Sequence, residues 1–278
     1  MAGVFTMLDL NIDDTSLRFK NAEASAELTM PVELIGTVTL EQAQANLAAN
    51  LSHPIWLNAV PAHDGVAVLC GNGPSLADTL DEIVELDATV FACNDGANYL
   101  IDRNIEVDYQ VILEAQPRMV DELAPAEAHL LASVVDPSLF ARCPNAILWH
   151  PDTPWIEKAI PNKHPPFNYM GGTICVSMYA LSIIYALGFR TIHTFGLDSS
   201  FRDGKRYASQ EFDGASTLPI GVTAFGKRYD TTYDMKEQAR SFLILAQMLK
   251  DLGCKVEVHG SGLLPDIYRN SIATPLTT

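Results

Sequence analysis

Short apolar runs that alternate with helical patterns are the feature of this sequence that most constrains its fold. From Val66 onward, apolar runs of strand length are separated by helix-like or turn-rich segments. The runs are 66–70, 89–94, 109–115, 129–135, 146–150, 191–198 and 255–260. Strands that are apolar on both faces are typical of a parallel sheet with helices on both sides. The pattern predicts a Rossmann-like, doubly wound α/β domain with a mostly parallel sheet.

The first 60 residues carry a weaker pattern than the rest of the chain. We expect residues 1–60 to form a small, partly helical N-terminal extension that packs on a main domain at 61–278. Within it, Thr39 and Gln42 have the spacing of a capping box, which predicts a helix to about Leu51. Two irregular stretches, 151–172 and 199–232, are long enough to be lids or binding loops.

Charge and composition limit the partners of the chain. Its formal net charge of −16 argues against a nucleic-acid partner, because phosphate backbones require clustered Lys and Arg. The apolar run 174–189 is too short and too interrupted by Ser and Tyr to span a membrane. The five cysteines occur singly, and the N-terminus lacks the basic start of a signal peptide. These features predict a cytoplasmic protein without a membrane span.

The turn that follows the first predicted strand reads GNGPSL, residues 71–76. Ligands of parallel sheets bind at the carboxyl ends of the strands, and glycine permits close approach of backbone to a ligand. Ser75, preceded by Pro74, has the position of a helix N-cap. We expect backbone N–H groups of this turn to hold a phosphate, and a plain tight turn is the alternative. Leu76 stands where the dinucleotide fingerprint GxGxxG requires glycine.

Other predicted strand ends carry residues suited to acid–base chemistry. Glu114 is a candidate metal ligand or base, and an exposed strand-end carboxylate is the alternative. Asp198 opens the irregular stretch at 199, where it can act as a base or cap a turn. His150 can serve as general acid or base near neutral pH, or it is a satisfied structural histidine. Lys205 and Arg206 can clamp a phosphorylated substrate, or they are solvated loop charges.

Four segments together resemble a known family. These are GNGPSL at 71–76, FACNDGA at 91–97, the stretch 171–198 that ends in GLD, and FRDGKRYA at 201–208. Over about 66–265 the chain resembles the MptE-like family, which includes archaeal 6-hydroxymethylpterin diphosphokinases and bacterial flagellin-modification domains. It is also similar to bacterial CMP-sialic-acid sialyltransferases. The resemblance implies a nucleotide site formed by Gly71, Asn72, Gly73, Pro74, Ser75, Asn94, Asp95, Gly172, Thr173, Gly196 and Tyr207, with Asp198 beside it.

Departures from these relatives leave the reaction open. Tyr169 and Met170 stand where the sialyltransferases have an arginine, and 221–236 lacks their histidine. Only Glu114 stands where the diphosphokinases have an acidic cluster. We expect a transferase that uses a nucleotide or nucleotide-sugar donor, with glycosyl transfer first. A pyrophosphokinase acting on a pterin-like substrate with ATP and Mg²⁺ is the alternative, followed by an inactive nucleotide-binding module. A sugar or phosphorylated small molecule is the expected substrate, and the oligomeric state stays open.

Overall fold

The computed structural model describes residues 38–160, 169–172, 175–209 and 220–273. Eight strands form the main sheet: β1 Val66–Cys70, β2 Thr89–Cys93, β3 Tyr109–Ile112, β4 Ala128–Ala132, β5 Ile147–Pro151, β6 Tyr169–Met170, β7 Thr191–Phe195 and β10 Lys255–Val258. Their order is β10-β7-β1-β2-β3-β4-β5-β6, and all neighbouring strands are parallel. This confirms the predicted doubly wound parallel sheet.

Helices cover both faces of this sheet. They are α1 Leu40–Asn50, α2 Leu80–Glu85, α3 Gly96–Ile101, α4 Pro137–Arg142, α5 Pro154–Ala159, α6 Val176–Ala186, α7 Tyr233–Asp251 and α8 Leu263–Ala273, with 3₁₀ helices at Pro74–Asp78 and Pro117–Glu122. The long helix α7 begins where the Thr232 side chain accepts a hydrogen bond from the Met235 N–H, at 3.3 Å. Among the described residues, no helix combines the length and the apolar character needed to cross a membrane.

The strand order reverses beside β1, and this reversal positions the site. The chain runs from β1 outward to β6 on one side, then returns to place β7 and β10 on the other side. The loops that follow β1 and β7 therefore leave the sheet in opposite directions. Such a topological switch point opens a crevice at the carboxyl ends of the strands, where open α/β sheets bind ligands.

The core lies in two layers, one on each face of the sheet. On one face, α6 packs against β1, β2 and β3 and contributes side chains such as Met178 and Leu181, which are 0% exposed. On the other face, Ile83 from α2 and Leu100 from α3 pack with Phe195. Burial of one such side chain stabilises the fold by about 1.5–3 kcal/mol. The strands that lead to the switch point are therefore held rigidly from both sides.

The predicted helix in the N-terminal extension is confirmed. Thr39 caps α1 by accepting a hydrogen bond from the Gln42 N–H, at 3.1 Å. The buried side chain of Asn50 donates to the carbonyl oxygen of Val135 at 2.8 Å, which attaches α1 to the loop after β4. Residues 1–37 lie outside the described residues. The division into an extension and a main domain stays a prediction.

Two elements near the C-terminus were not predicted. The stretch 199–232, expected to be irregular, contains an antiparallel hairpin of β8 Ile220–Ala224 and β9 Lys227–Thr231. The helix α8 follows β10, although the prediction ended at that strand. Tyr229 of the hairpin donates a hydrogen bond to Asp266 of α8 at 2.5 Å, so the two unpredicted elements contact one another.

Candidate functional site

A cavity of about 600 Å³ lies at the carboxyl ends of β1, β2, β3 and β7. Its volume is in the range of pockets that enclose a small ligand. The wall beside the switch point contains Gly71, Asn72, Gly73, Gly196 and Asp198. The opposite wall and the mouth contain Asn94, Asp95, Glu114 and Tyr207. The fold thus brings together most of the residues that the sequence proposed for a nucleotide site.

The remaining predicted residues lie elsewhere. Pro74 and Ser75 are buried and do not line the cavity. His150, on β5, is 1% exposed and also does not line it, and burial lowers its pKa to about 4. Gly172 packs against the Tyr179 ring, and Thr173 lies outside the described residues. His150 is therefore removed from the cavity by its position in the sheet, contrary to the expected catalytic placement.

Hydrogen bonds within the protein engage most backbone donors of the GNGPSL turn. The N–H groups of Gly71 and Gly73 donate to the carbonyl oxygens of Phe195 and Gly196, at 2.9 and 2.8 Å. The N–H of Ser75 donates to Asp198 at 2.7 Å, and that of Leu76 donates to the Gly73 carbonyl oxygen at 3.0 Å. The bonds of these four amides argue against their role in holding a phosphate, and the predicted phosphate site at this turn stays a prediction. Gly73, and not Ser75, occupies the N-cap position.

Asp198 joins the turn after β1 to the loop after β7. Its carboxylate accepts hydrogen bonds from both the N–H and the Oγ–H of Ser75, at 2.7 and 2.6 Å. The side chain is 3% exposed, and burial raises its pKa to about 6 although the Ser75 bonds favour the charged form. Asp198 lines the cavity, and each of its oxygens accepts one hydrogen bond from Ser75. Its geometry is that of an anchor between two loops.

Asn94 and Glu114 form a second polar pair, at the ends of β2 and β3. The Asn94 Nδ2 donates to Glu114 Oε1 at 2.7 Å, and the Asn94 carbonyl accepts from Gln110 at 3.0 Å. Asn94 has φ of +48°, a left-handed conformation that Asn adopts more readily than most residues. Within the described part of the chain, the buried atoms Asn94 Oδ1 and Glu114 Oε2 have no hydrogen-bond partner. Two residues of the cavity lining therefore each have a buried acceptor that lacks a partner.

A chain of side-chain bonds holds the loop at the mouth of the cavity. Asn72 Nδ2 donates to Ser209 Oγ at 2.9 Å, and the Ser209 hydroxyl donates to Asp95 Oδ2 at 3.0 Å. The Ala208 N–H also donates to the Asn72 carbonyl oxygen at 2.8 Å. The Asn72 Oδ1 is buried without a partner among the described residues. Asn72 thus fixes the loop that carries Tyr207, and its Oδ1 is a further unpaired acceptor in the lining of the cavity.

Two arginines line the cavity. Arg206 donates from Nη2 to Asp234 at 2.9 Å, while its buried Nε has no partner within the described residues. Arg118 pairs with Glu122 at 2.6 Å, and burial raises the pKa of Glu122. The described carboxylates of the lining are Asp95, Glu114, Glu122, Asp198 and Asp234. Since carboxylates outnumber guanidinium groups, the cavity favours a ligand rich in hydrogen-bond donors over a highly charged anion.

The carboxylates of the cavity do not form a preformed metal centre. Among the described residues, the group of His, Cys, Asp and Glu side chains close enough to hold an ion consists of His193, Glu257 and His259, which do not line the cavity. Mg²⁺ commonly binds through one or two carboxylates together with substrate phosphates. Mg²⁺ as a partner of ATP, with Glu114 as a candidate ligand, stays a prediction.

Sequence reasoning missed several residues of the cavity wall. Arg118 and Glu122 come from the 3₁₀ helix after β3, and Asp234 and Gln238 come from the start of α7. A proline-initiated turn directly after a predicted strand was the available signal for Arg118. For Asp234 the signal was its place in the first turn of a capped helix, but nothing in the sequence indicated that this helix begins at the cavity.

Comparison with solved structures shows the fold. The Maf glycosyltransferase from Magnetospirillum magneticum AMB-1 is similar at 16% identity with a TM-score of 0.56, over 84% of this chain and 41% of that protein. The chain thus spans about two fifths of that glycosyltransferase. The sialyltransferase CstII from Campylobacter jejuni, in complex with cytidine-5'-monophosphate, matches at 17% identity with a TM-score of 0.40, over 74% of this chain and 87% of that protein. No curated protein shows a significant match.

The match to a protein family covers the part of the chain that contains most of the sheet. The family model described as 6-hydroxymethylpterin diphosphokinase MptE-like matches residues 41–204. This range is more than half of the chain and includes the strand ends at Asn72, Asn94 and Glu114. It ends before Arg206 and Asp234, so the mouth of the cavity lies partly outside the match. On this match, the chain belongs to the MptE-like family.

Proposed function

We propose that this protein is a transferase that binds a nucleotide-activated sugar in the cavity and passes the sugar to an acceptor. One observation carries the proposal: Asn72 Oδ1, Asn94 Oδ1 and Glu114 Oε2 are buried acceptors without partners among the described residues. A buried acceptor left unpaired costs about 1–3 kcal/mol, which a donor on the ligand removes. Ribose and sugar hydroxyls and the amino group of a base are such donors, whereas a polyphosphate has only acceptors.

The two arginines supply the complementary phosphate contacts. Arg206 lies at the mouth beside Tyr207, with its guanidinium 5.4 Å from the ring centroid and its Nε unpaired among the described residues. Arg118 is the second cation of the described lining. Guanidinium groups bind phosphate through charge-assisted hydrogen bonds. Two arginines among several carboxylates suit the one or two phosphates of a nucleotide sugar better than a triphosphate.

Glu114 has the geometry of the general base in this reaction. Asn94 holds its Oε1, which orients the carboxylate and leaves Oε2 to accept the proton of an acceptor hydroxyl. Asp198 is the alternative, since its pKa of about 6 suits proton transfer near neutral pH. Both Asp198 oxygens already accept a bond from Ser75, however, whereas Glu114 Oε2 has no partner among the described residues. Stabilisation of the departing nucleotide phosphate falls to Arg206 and Arg118.

A diphosphokinase is the second candidate, because the matching family model carries that description. In this reaction ATP would donate a pyrophosphoryl group to a pterin-like substrate. A cation bound with ATP would offset the repulsion between the triphosphate and the carboxylates of the lining. Glu114 is the residue of the β3 end that could contribute an oxygen to such a cation. This candidate therefore predicts that nucleotide binding depends on Mg²⁺.

Calorimetric titration with CMP, UDP, GDP, ADP and ATP, each with and without Mg²⁺, separates the candidates. The glycosyltransferase proposal expects Mg²⁺-independent binding of one nucleoside mono- or diphosphate, and release of that nucleotide from its sugar conjugate. Binding of ATP that requires Mg²⁺ supports the diphosphokinase. Binding without turnover of any donor indicates an inactive nucleotide-binding module. Failure of every nucleotide to bind overturns all three.

Substitution of Glu114 tests the assigned base. In Glu114→Gln the Asn94 contact can persist while the proton acceptor is lost. We expect sugar transfer to fall by about 10²–10⁴-fold, with a much smaller change in nucleotide affinity. Glu85→Gln, an exposed glutamate on α2, is the matched control and should transfer sugar at the normal rate. Equal rates in the two variants would exclude Glu114 as the base.

A further inference from the structure

The register of β7 and β10 brings three side chains with metal-binding atoms to one place. His193 on β7 is the direct neighbour of Glu257 on the parallel strand β10. His259 follows Glu257 by two residues, so the two side chains project from the same face of the sheet. The His259 N–H donates to the carbonyl oxygen of Thr194 at 2.9 Å, which extends the strand pairing to this residue.

The distances between the candidate ligand atoms suit a single ion. His193 Nδ1 lies 2.9 Å from His259 Nε2 and 3.6 Å from Glu257 Oε2, and the last two atoms are 4.0 Å apart. Zinc binds His nitrogen and carboxylate oxygen at about 2.0–2.2 Å, so tetrahedral ligands lie about 3.4 Å from each other. The three observed distances lie on both sides of that value. Binding of one ion by all three atoms therefore requires an adjustment of these distances.

Groups around the cluster orient the ligand atoms of His259 and Glu257. His259 Nδ1 lies 2.9 Å from Glu82 Oε2, and donation of its N–H to this carboxylate leaves the Nε2 lone pair facing the other two ligands. A carboxylate behind a metal-bound histidine is the usual arrangement, because it orients the ring and raises its basicity. Lys255 binds the other oxygen of Glu257 and so leaves Oε2 on the side of the histidines.

Aromatic packing limits the movement of one ligand. The Phe195 ring stacks on His259 at 4.2 Å between centroids and restricts its rotation. Two imidazoles and one carboxylate are a ligand set that zinc accepts.

We propose that His193, Glu257 and His259 bind one Zn²⁺ ion, with Glu82 orienting His259. The site lies at the β10 edge of the sheet and shares no residue with the cavity lining. The Glu257 side chain is 36% exposed, so water can occupy the fourth coordination position. The ion would join edge strand β10 to β7 and, through Glu82, to α2. A hydrogen-bonded histidine pair that binds no metal is the competing explanation.

Zinc titration of the full chain, free of affinity tags and treated with a chelator, tests the site. Calorimetry should show one Zn²⁺ per chain, and zinc should raise the unfolding temperature. Substitution with Co²⁺ should give the intense visible absorption of a four-coordinate centre. Absence of zinc binding, or binding that leaves the unfolding temperature unchanged, overturns the proposal.

Substitutions of single residues test which side chains bind the zinc ion. His259→Gln and Glu257→Gln should each weaken zinc affinity by at least about tenfold, and Glu82→Gln by about tenfold to a hundredfold. His129→Gln, on β4 and far from this edge in strand order, is the matched control and should bind zinc normally. Circular dichroism of the metal-free variants verifies that they are folded. Unchanged zinc affinity in His259→Gln overturns the assignment, as does an equal loss in His129→Gln. Nucleotide titration of the same variants tests the cavity separately.

Discussion

The turn after β1 and the strand ends at Asn94 and Glu114 look alike in the sequence but differ in the structure. Both place glycine or polar residues directly after an apolar strand. In the turn, the N–H groups of Gly71, Gly73 and Ser75 are bonded within the protein. At Asn94 and Glu114, buried acceptors have no partner among the described residues. Bonded backbone groups are typical of a scaffold, whereas unpaired buried side-chain atoms, which include Asn72 Oδ1 within the turn itself, are typical of a surface that binds a ligand.

The largest expected effect concerns Gly71. It tests whether this turn is needed for the close packing of the loops that follow β1 and β7. A Cβ atom on Gly71 would lie 2.5 Å from the Gly196 carbonyl oxygen and 2.7 Å from a Leu197 methyl carbon. Gly71→Ala should therefore lower the free energy of unfolding by about 3 kcal/mol, measured by denaturant titration. Gly171→Ala is the control, because a Cβ atom there would lie 3.9 Å from Ser182 Oγ and no closer to any other described residue beyond its chain neighbours. Similar losses in the two variants would contradict the close-approach argument.

A smaller effect on the free energy of unfolding is expected at Asp198, and this effect depends on pH. The pKa of Asp198 is about 6 in the folded chain, against about 4 for an unfolded aspartate. Between these values the folded state binds more protons than the unfolded state. The stability contributed by this group is therefore complete below about pH 4 and is lost as the pH rises through about 6.

Asp198→Asn should remove this pH dependence. The unfolding free energy of the parent chain minus that of the variant should fall by about 2 kcal/mol between about pH 4 and pH 6. The difference between the two proteins is the quantity to measure, because His150 also makes the unfolding free energy depend on pH. Its pKa is lowered to about 4, so its contribution rises with pH, and this contribution is the same in both proteins. Parallel stability curves for the two proteins would show that Asp198 is not the buried acid inferred here.

The smallest effect on stability is expected at the other strand ends. Glu114→Gln keeps an oxygen for the Asn94 amide and removes a charge whose second oxygen has no partner among the described residues. The free energy of unfolding should change by less than about 0.5 kcal/mol, although sugar transfer is expected to fall. If Glu114→Gln lowered the free energy of unfolding as much as Gly71→Ala, Glu114 would be a structural residue. The contrast between the two regions would then not hold.

The sheet could be predicted from the sequence because apolar strand runs reflect burial on both faces. The same signal extended the third strand too far, from 109 to 115, while β3 ends at Ile112. Leu113 and Ala115 remain buried after the strand pairing ends, at 7% and 5% exposure. The hairpin escaped prediction because Phe225 occupies the first position of its two-residue turn, with φ of +51°. Asn, Asp or Gly usually fills that position.

The candidate site could be predicted only in part. Asn94 and Glu114 were located because β2 and β3 lie next to the switch point, where strand ends meet the cavity. His150 also follows an apolar run, but β5 lies four strands from β1, too far along the sheet to line the cavity. Arg206 and Asp234 reach the cavity from distant parts of the chain. Their contribution depends on strand order and on the path of α7, which local patterns do not specify.

Two hydrogen bonds close the base of the segment between β7 and α7. The Phe201 N–H donates to the Asp230 carbonyl oxygen, and the Thr231 hydroxyl donates to that of Ser199, both at 2.7 Å. The two ends of the segment are therefore held together next to Asp198 and next to the start of α7. Changes between these ends that keep the contacts of Arg206 and Ser209 are compatible with unchanged positions of Asp198 and Thr232.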